Sequence, residues 1–92
     1  MTYELAFDRR ALKEWQKLGH TIREQFKKKL AERLENPRVP AAKLHGHADR
    51  YKIKLRASGY RLVYQVIDEK VLLVIAVGRR ESSEVYQIAD LR

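Results

Sequence analysis

Basic side chains alternate with apolar ones along residues 50–56, and a further basic residue, Arg61, follows on the next predicted strand. A period of two is that of a β-strand, so the two kinds of side chain point to opposite faces. The turn Ser58–Gly59 brings Arg61 onto the same face, and residues 50–67 contain no Asp or Glu. We call this set the basic face: Arg50, Lys52, Lys54, Arg56 and Arg61. Cations grouped without an acid suit the recognition of phosphate groups.

The predicted hairpin places like charges opposite one another. A two-residue loop at Ser58–Gly59 pairs Arg56 with Arg61, and all large apolar residues except Val63 then fall on the other face. Opposed like charges destabilise a sheet, which indicates that an anion binds there. The alternative is a solvated face balanced by counterions. We expect Lys54 and Arg61 to lie away from the apolar layer, so that truncating either leaves the fold intact.

Two further arginines and a tyrosine follow the third predicted strand, residues 71–77. Pairing of this strand with the preceding one returns the chain to the end where Arg61 lies, so Arg79 or Arg80 is expected to reach the basic face. About one helical turn later, Tyr86 offers a ring on which a base can stack. For Tyr86 the alternative is a core or interface tyrosine.

The composition is strongly basic. The 92 residues include 20 Lys and Arg against 12 Asp and Glu, a formal net charge of +8 and a pI near 10.0. This imbalance indicates a polyanionic partner: RNA, DNA, an acidic protein or an anionic membrane. There is no cysteine, which excludes disulfides, thiolate metal sites and a cysteine nucleophile.

No targeting or metal-binding signal is visible. The first ten residues contain no apolar run of signal length and no stretch approaches transmembrane length, so we expect a cytoplasmic protein. His20, His45 and His47 are interpreted as loop or cap residues and not as catalysts. We therefore expect no metal site and no cofactor.

The elements that position these residues predict an α+β fold. Residues 2–7 form a first strand, Asp8 caps a helix, and Thr21 with Glu24 forms a capping box for a second helix that ends at Asn36–Pro37. After a loop over residues 37–49 come three strands, of which the second spans residues 60–67 and the third is apolar on both faces and therefore central. Ser82 or Ser83 caps a short C-terminal helix. We predict a single domain, residues 1–92: a helical hairpin packed on a mainly antiparallel four-stranded sheet, followed by that helix.

Several long segments resemble toxins of the RelE family. They are YKIKLRASGYRLVYQVIDEKV at residues 51–71, VGRRESSEVY at 77–86, RALKEWQKLG at 10–19 and KKKL at 27–30. The resemblance covers nearly the whole chain and is closer to RelE itself than to the wider RelE/ParE superfamily. One departure follows Gly78, where the family usually has Gly-Lys-Arg-Glu-Arg: Arg79 keeps a cation, whereas Ser82 loses one.

The resemblance implies a microbial RNase-like fold and a place in a type II toxin–antitoxin system. The implied activity is metal-independent endoribonuclease cleavage of mRNA in the A site of the 70S ribosome, inhibiting translation. The implied partners are an acidic RelB-like antitoxin and, through the toxin–antitoxin complex, operator DNA; no membrane is involved. The implied functional residues are Lys52, Lys54, Arg61, Arg80 and Tyr86.

Roles for these residues follow from what metal-free RNA cleavage requires. A base must take the proton of the 2′-hydroxyl, and charge on the phosphate and on the leaving oxygen must be offset. Neighbouring cations lower the pKa of a lysine, so Lys54 is the expected base and Lys52 the phosphate stabiliser. Arg61 would clamp the scissile phosphate, Arg80 would stabilise the leaving oxygen, and Tyr86 would stack on a base. The other expected RNA contacts are Arg50, Arg56 and Arg79.

Two other functions remain open. A ParE-like toxin would inhibit gyrase by binding it and would cut no RNA, and a non-catalytic RNA-binding module would use the basic face for affinity alone. Mapped cuts in translated mRNA favour the nuclease, whereas DNA damage without such cuts favours the gyrase inhibitor.

Overall fold

The computed structural model describes residues 2–44, 46, 49–79, 89 and 91. Two helices pack on one face of a four-stranded sheet, which confirms the predicted α+β class. The helices are α1 (Arg9–Gln16) and α2 (His20–Glu35), and a short 3₁₀ helix spans Pro40–Ala42. The strands are β1 (Glu4–Phe7), β2 (Arg50–Leu55), β3 (Tyr60–Ile67) and β4 (Val71–Arg79). Within the described ranges, no helix combines the length and the apolar character that crossing a bilayer requires.

The helical hairpin begins as predicted, but its second helix is capped differently. A side-chain oxygen of Asp8 accepts a hydrogen bond from the backbone N–H of Arg10 at 2.9 Å, which makes Asp8 the cap of α1. The predicted capping box at Thr21 is wrong, because α2 already starts at His20 with Gly19 as its N-cap. A glycine in this position supplies no side-chain bond, and none is present.

The sheet order is β1-β4-β3-β2, so β4 is internal as its apolar sequence predicts. β2 pairs with β3 and β3 with β4 in antiparallel fashion, whereas β1 pairs with β4 in parallel. The sheet is therefore mixed and mainly antiparallel. Ile75 forms a bulge in β4, because Val63 pairs with Ala76 and Tyr64 with Val74.

The register of the β2–β3 hairpin differs from the predicted one by two residues. Leu55 pairs with Tyr60 and Lys54 with Arg61, so the loop has four residues, not two. The backbone N–H of Gly59 donates to the carbonyl of Leu55 at 2.9 Å and closes the loop. An even shift preserves the two faces, so Lys52, Lys54 and Arg61 still share one. Arg56 leaves the strand and lies in the turn.

The sheet is apolar on both sides, but unequally. The face toward the helices carries the main core, in which Phe26 and Leu30 of α2 pack on the sheet residues Tyr51, Ile53 and Leu62. The opposite face, which we call the outer face, has a smaller buried cluster of Val63, Ile75, Ala76 and Ala89. The predicted C-terminal helix lies almost wholly outside the described residues, although Ala89 is buried on this outer face.

Candidate nucleic-acid interface

Lys54 and Arg61 lie side by side on the outer face. The carbonyl of Arg50 accepts from the backbone N–H of Leu44 at 2.9 Å, and that of Lys52 accepts from the guanidinium of Arg33 at 3.2 Å. Both carbonyls therefore point away from β3. Because this direction alternates along a strand, Lys54 and Arg61 form a non-hydrogen-bonded pair, the kind in which side chains are closest.

The pKa of Lys54 is lowered, as the sequence predicts. The nearby cation of Lys52 is the main cause, followed by partial desolvation and by the charges of Arg61 and Arg56. The side chain of Lys54 remains exposed. Lowering its pKa increases the fraction of neutral amine at a given pH, and the neutral amine is the form that can accept a proton.

Arg61 is buried, which the sequence did not predict. Its exposed fraction is 5%, and its guanidinium donates to the carbonyl of Tyr60 at 3.1 Å. On β4 the register places Gly78 beside it, so no side chain occupies that position. The expectation that Arg61 is a surface residue is wrong, because the aliphatic stem of an arginine can lie along the sheet while its planar head reaches a polar partner.

Two other candidate arginines, Arg50 and Arg79, make contacts elsewhere in the fold. Arg50 donates to the side chain of Gln65 at 3.2 Å and to the carbonyl of Ala89 at 2.8 Å, so it ties Ala89 to the sheet. Arg79 pairs with Tyr60 on the helix-side face, with its guanidinium 5.3 Å from the centre of that ring. Arg79 therefore does not reach the outer face.

Of the candidate residues, the structure brings together Lys52, Lys54 and Arg61, with the charge of Arg56 close by. We call these four residues the cation cluster. Arg80 and Tyr86 lie outside the described residues, as do His45 and His47. His20 is exposed at the first turn of α2. No group of three or more potential metal ligands from His, Asp and Glu occurs among the residues that the structure describes.

Sequence reasoning missed one residue that supports the cluster. Arg33 of α2 donates to the carbonyl of Lys52 at 3.2 Å and to the hydroxyl of Tyr64 at 2.9 Å. It thereby ties the helix to the backbone of β2. The available signal was its position, since Arg33 falls on the helical row of Phe26 and Leu30, where an apolar residue is expected.

Comparisons with known proteins agree with this architecture. Residues 5–84 match the family described as "ParE toxin of type II toxin-antitoxin system, parDE". The "mRNA interferase toxin RelE" of Escherichia coli (strain K12) is 70% identical over 93 residues, covering 100% of this chain and 98% of that protein.

Solved structures of E. coli RelE are also similar. A double mutant of the toxin in the free state superimposes with a TM-score of 0.91 at 68% identity, covering 100% of this chain and 98% of that one. The toxin in the intact E. coli RelBE toxin–antitoxin complex gives a TM-score of 0.82 at 70% identity, covering 86% of this chain and 98% of that one.

Proposed function

The chain belongs to the RelE family of toxins from type II toxin–antitoxin systems, and from that membership we propose that it is an endoribonuclease that cleaves mRNA on the ribosome. The observation that carries the proposal is the cation cluster, in which an exposed lysine of lowered pKa faces a buried arginine. Grouped cations favour a phosphate, and a lysine whose pKa they lower can also accept a proton from the 2′-hydroxyl.

In the proposed reaction the 2′-oxygen of the RNA attacks the adjacent phosphorus. Neutral Lys54 takes the proton of the 2′-hydroxyl, while Lys52 and Arg61 offset the charge that grows on the phosphate. The bond from phosphorus to the 5′-oxygen breaks, and that oxygen takes up a proton from water. The products are a 2′,3′-cyclic phosphate and a 5′-hydroxyl end.

Arg80 and Tyr86 complete the proposed site. Arg80 stabilises the leaving oxygen as a fixed cation, because a guanidinium holds its own proton too tightly to be a good acid. Tyr86 stacks on a base beside the cut and so orients the 2′-hydroxyl. Since acid–base groups in this site are few, the rate depends on how the substrate is held, and the ribosomal A site provides that positioning.

We also propose the partners and location that follow from this role. A RelB-like antitoxin, with an acidic segment that complements the +8 charge, neutralises the toxin in the cytoplasm. The complex of the two binds operator DNA and represses transcription. Within the cation cluster, Arg56 serves affinity more than chemistry, because it lies in the turn beyond the end of the strand.

Cleavage of mRNA on purified, programmed ribosomes tests the proposal. We expect cuts in the A-site codon, a 2′,3′-cyclic phosphate end, and no effect of EDTA once the ribosomes' own magnesium requirement is met. Replacing the one attacking 2′-hydroxyl by hydrogen should stop cleavage. A cut that persists on this deoxy substrate would rule out the mechanism.

Inhibition of gyrase is the second candidate, because the matching family is described as ParE toxin. Expression of the protein in cells distinguishes the two functions. Cuts in translated mRNA support the nuclease, and DNA damage in the absence of such cuts supports the gyrase inhibitor.

A further inference from the structure

A groove runs along the exposed edge of β2, between that strand and α2. It consists of two adjoining cavities of about 420 and 430 Å³, which share Lys29, Lys54 and Arg56 in their walls. One cavity also contacts Lys28 of α2 and the other Lys52 of β2. We call this feature the edge groove, and it extends from the middle of α2 to the cation cluster.

The walls of the edge groove are basic, and no acidic side chain in them balances the charge. No Asp or Glu lines either cavity. Lys28 and Lys29 are exposed and form no ion pair with any residue that the structure describes, whereas the adjacent Lys27 is paired with Glu24 at 3.2 Å. The lysines that face the groove are therefore the ones left available to an external anion.

We propose that the edge groove is a second binding site for RNA, which holds the ribose–phosphate backbone of a strand adjacent to the cleavage site. The proposal rests on the proposed function. Lys54 connects the two places, because it lines both cavities and also faces Arg61 across the hairpin. A strand whose scissile phosphate lies at the cation cluster can thus continue around the edge of the sheet into the groove.

The backbone of β2 adds a hydrogen-bond donor to this groove. The bridge between Lys43 and Tyr51 covers the start of the strand edge, and Arg33 occupies the carbonyl of Lys52. Because the backbone hydrogen-bonding direction alternates along β2, the N–H of Lys54 points away from β3. It lies past the part of the edge that the bridge between Lys43 and Tyr51 covers. Backbone N–H groups are common partners of phosphate oxygens, along with Lys and Arg side chains.

The floor of the groove favours RNA over a peptide. Its apolar residues are Leu55 and Ala57 in one cavity and Val39, Ala41 and Ala42 in the other, and none of them is aromatic. Peptide partners depend on large apolar or aromatic anchors that fill matching pockets. A sugar–phosphate backbone needs cations and donors at intervals, and the walls supply these.

The test compares two double variants of equal charge. Lys28→Gln with Lys29→Gln removes the two groove lysines, and Lys17→Gln with Lys27→Gln is the matched control on exposed positions outside the groove. Binding is measured against salt concentration for a single-stranded RNA oligonucleotide and for 70S ribosomes programmed with the same RNA. Both RNAs carry a 2′-deoxy residue at the cleavage position, so that binding is read without cleavage.

We expect the groove variant to bind about tenfold more weakly than the control at physiological salt. Losing two phosphate contacts should also reduce the slope of log K against log salt by about 1.4 for single-stranded RNA. A loss seen with the free oligonucleotide identifies the mRNA as the occupant, and a loss seen only on ribosomes identifies ribosomal RNA. The first result supports the site as proposed, and the second overturns it, because the cleaved strand would then not continue into the groove.

Equal binding and equal slopes for the two double variants would overturn the proposal. So would a weaker affinity for the acidic antitoxin with both RNA affinities unchanged, because the groove would then be a peptide site. Failure of the proposed function is a separate result. If the wild-type chain never cuts mRNA yet binds RNA through Lys28 and Lys29, the nuclease assignment fails and the groove stands.

Discussion

Lys54 of β2 lies opposite Arg61 of β3 in a non-hydrogen-bonded pair, with the lysine exposed and the arginine buried. Two cations in such a pair repel each other, which destabilises the sheet. Among the described residues, the arginine offsets this repulsion with packing and with a hydrogen bond to the carbonyl of Tyr60. The two residues therefore contribute differently to the stability of the fold, although the proposed chemistry uses both.

Truncating the two residues should accordingly have different effects on stability. Lys54→Ala should change the free energy of unfolding by less than about 0.5 kcal/mol, as is usual for exposed sites. Arg61→Ala should lower it by about 1 to 2 kcal/mol, because buried packing and a hydrogen bond are lost. Urea denaturation of both variants measures the difference. Equal stabilities would contradict the structural role assigned to Arg61.

The turn between β3 and β4 is a site where stability can be gained. Asp68 and Glu69 both have positive φ, at 50° and 58°, as in a type I′ turn, and neither is a glycine. Glu69→Gly should raise the free energy of unfolding by about 0.5 to 1 kcal/mol, because it relieves left-handed strain. The change also removes the exposed contact to Arg38 at 3.7 Å, which contributes little.

Thermal unfolding checks this prediction, and the same turn offers a matched control. Lys70 is not among the described residues with positive φ, so Lys70→Gly should lower the midpoint while Glu69→Gly raises it. A decrease for both variants would mean that the strain at Glu69 is negligible.

Local sequence patterns were sufficient for most of the elements. The predicted bounds of β3 are those observed, since Tyr60–Ile67 is a mainly apolar segment between two turns. The register of the hairpin was wrong for a reason that lies in the backbone. Favoured two-residue loops need positive φ at their first central residue, and of Ser58 and Gly59 only the glycine has it.

Long-range packing could not be predicted in the same way. The burial of Arg61 depends on Gly78 of β4 being its neighbour, and that follows only from the register between two strands. The placement of Arg79 on the helix-side face has the same origin, because the bulge at Ile75 shifts the register of β4. No periodicity in the sequence signals a bulge.

Arg50 should hold Ala89 against the sheet. Its bond to the carbonyl of Ala89 is lost in Arg50→Ala, so we expect faster hydrogen exchange of the Ala89 amide with unchanged exchange in β3 and β4. The matched control is Lys43→Ala, an exposed cation near the same strand end. If exchange of the Ala89 amide is as slow as in the wild type, the bond is not what holds Ala89 in place.

The pH dependence of cleavage reports the proposed base. Because the charge of Arg56 helps to lower the pKa of Lys54, Arg56→Gln should raise that pKa. The rate should then rise at higher pH than in the wild type, with a lower rate at neutral pH and a similar plateau. Single-turnover rates at saturating ribosome give the profile, with Lys27→Gln as a control that should leave it in place. An unshifted profile would exclude Lys54 as the titrating base.

Replacing Lys54 by arginine distinguishes the role of Lys54 as a base from its role as a cation. Lys54→Arg keeps the cation opposite Arg61, but a guanidinium stays protonated and cannot act as the base. General-base catalysis typically contributes about 10² to 10⁴ in rate, so single-turnover cleavage at saturating ribosome should fall by about that factor. Lys52→Arg, where only the charge is needed, should stay within about tenfold of the wild type. If Lys54→Arg cleaves as fast as Lys52→Arg, Lys54 contributes charge alone and the base must be another group.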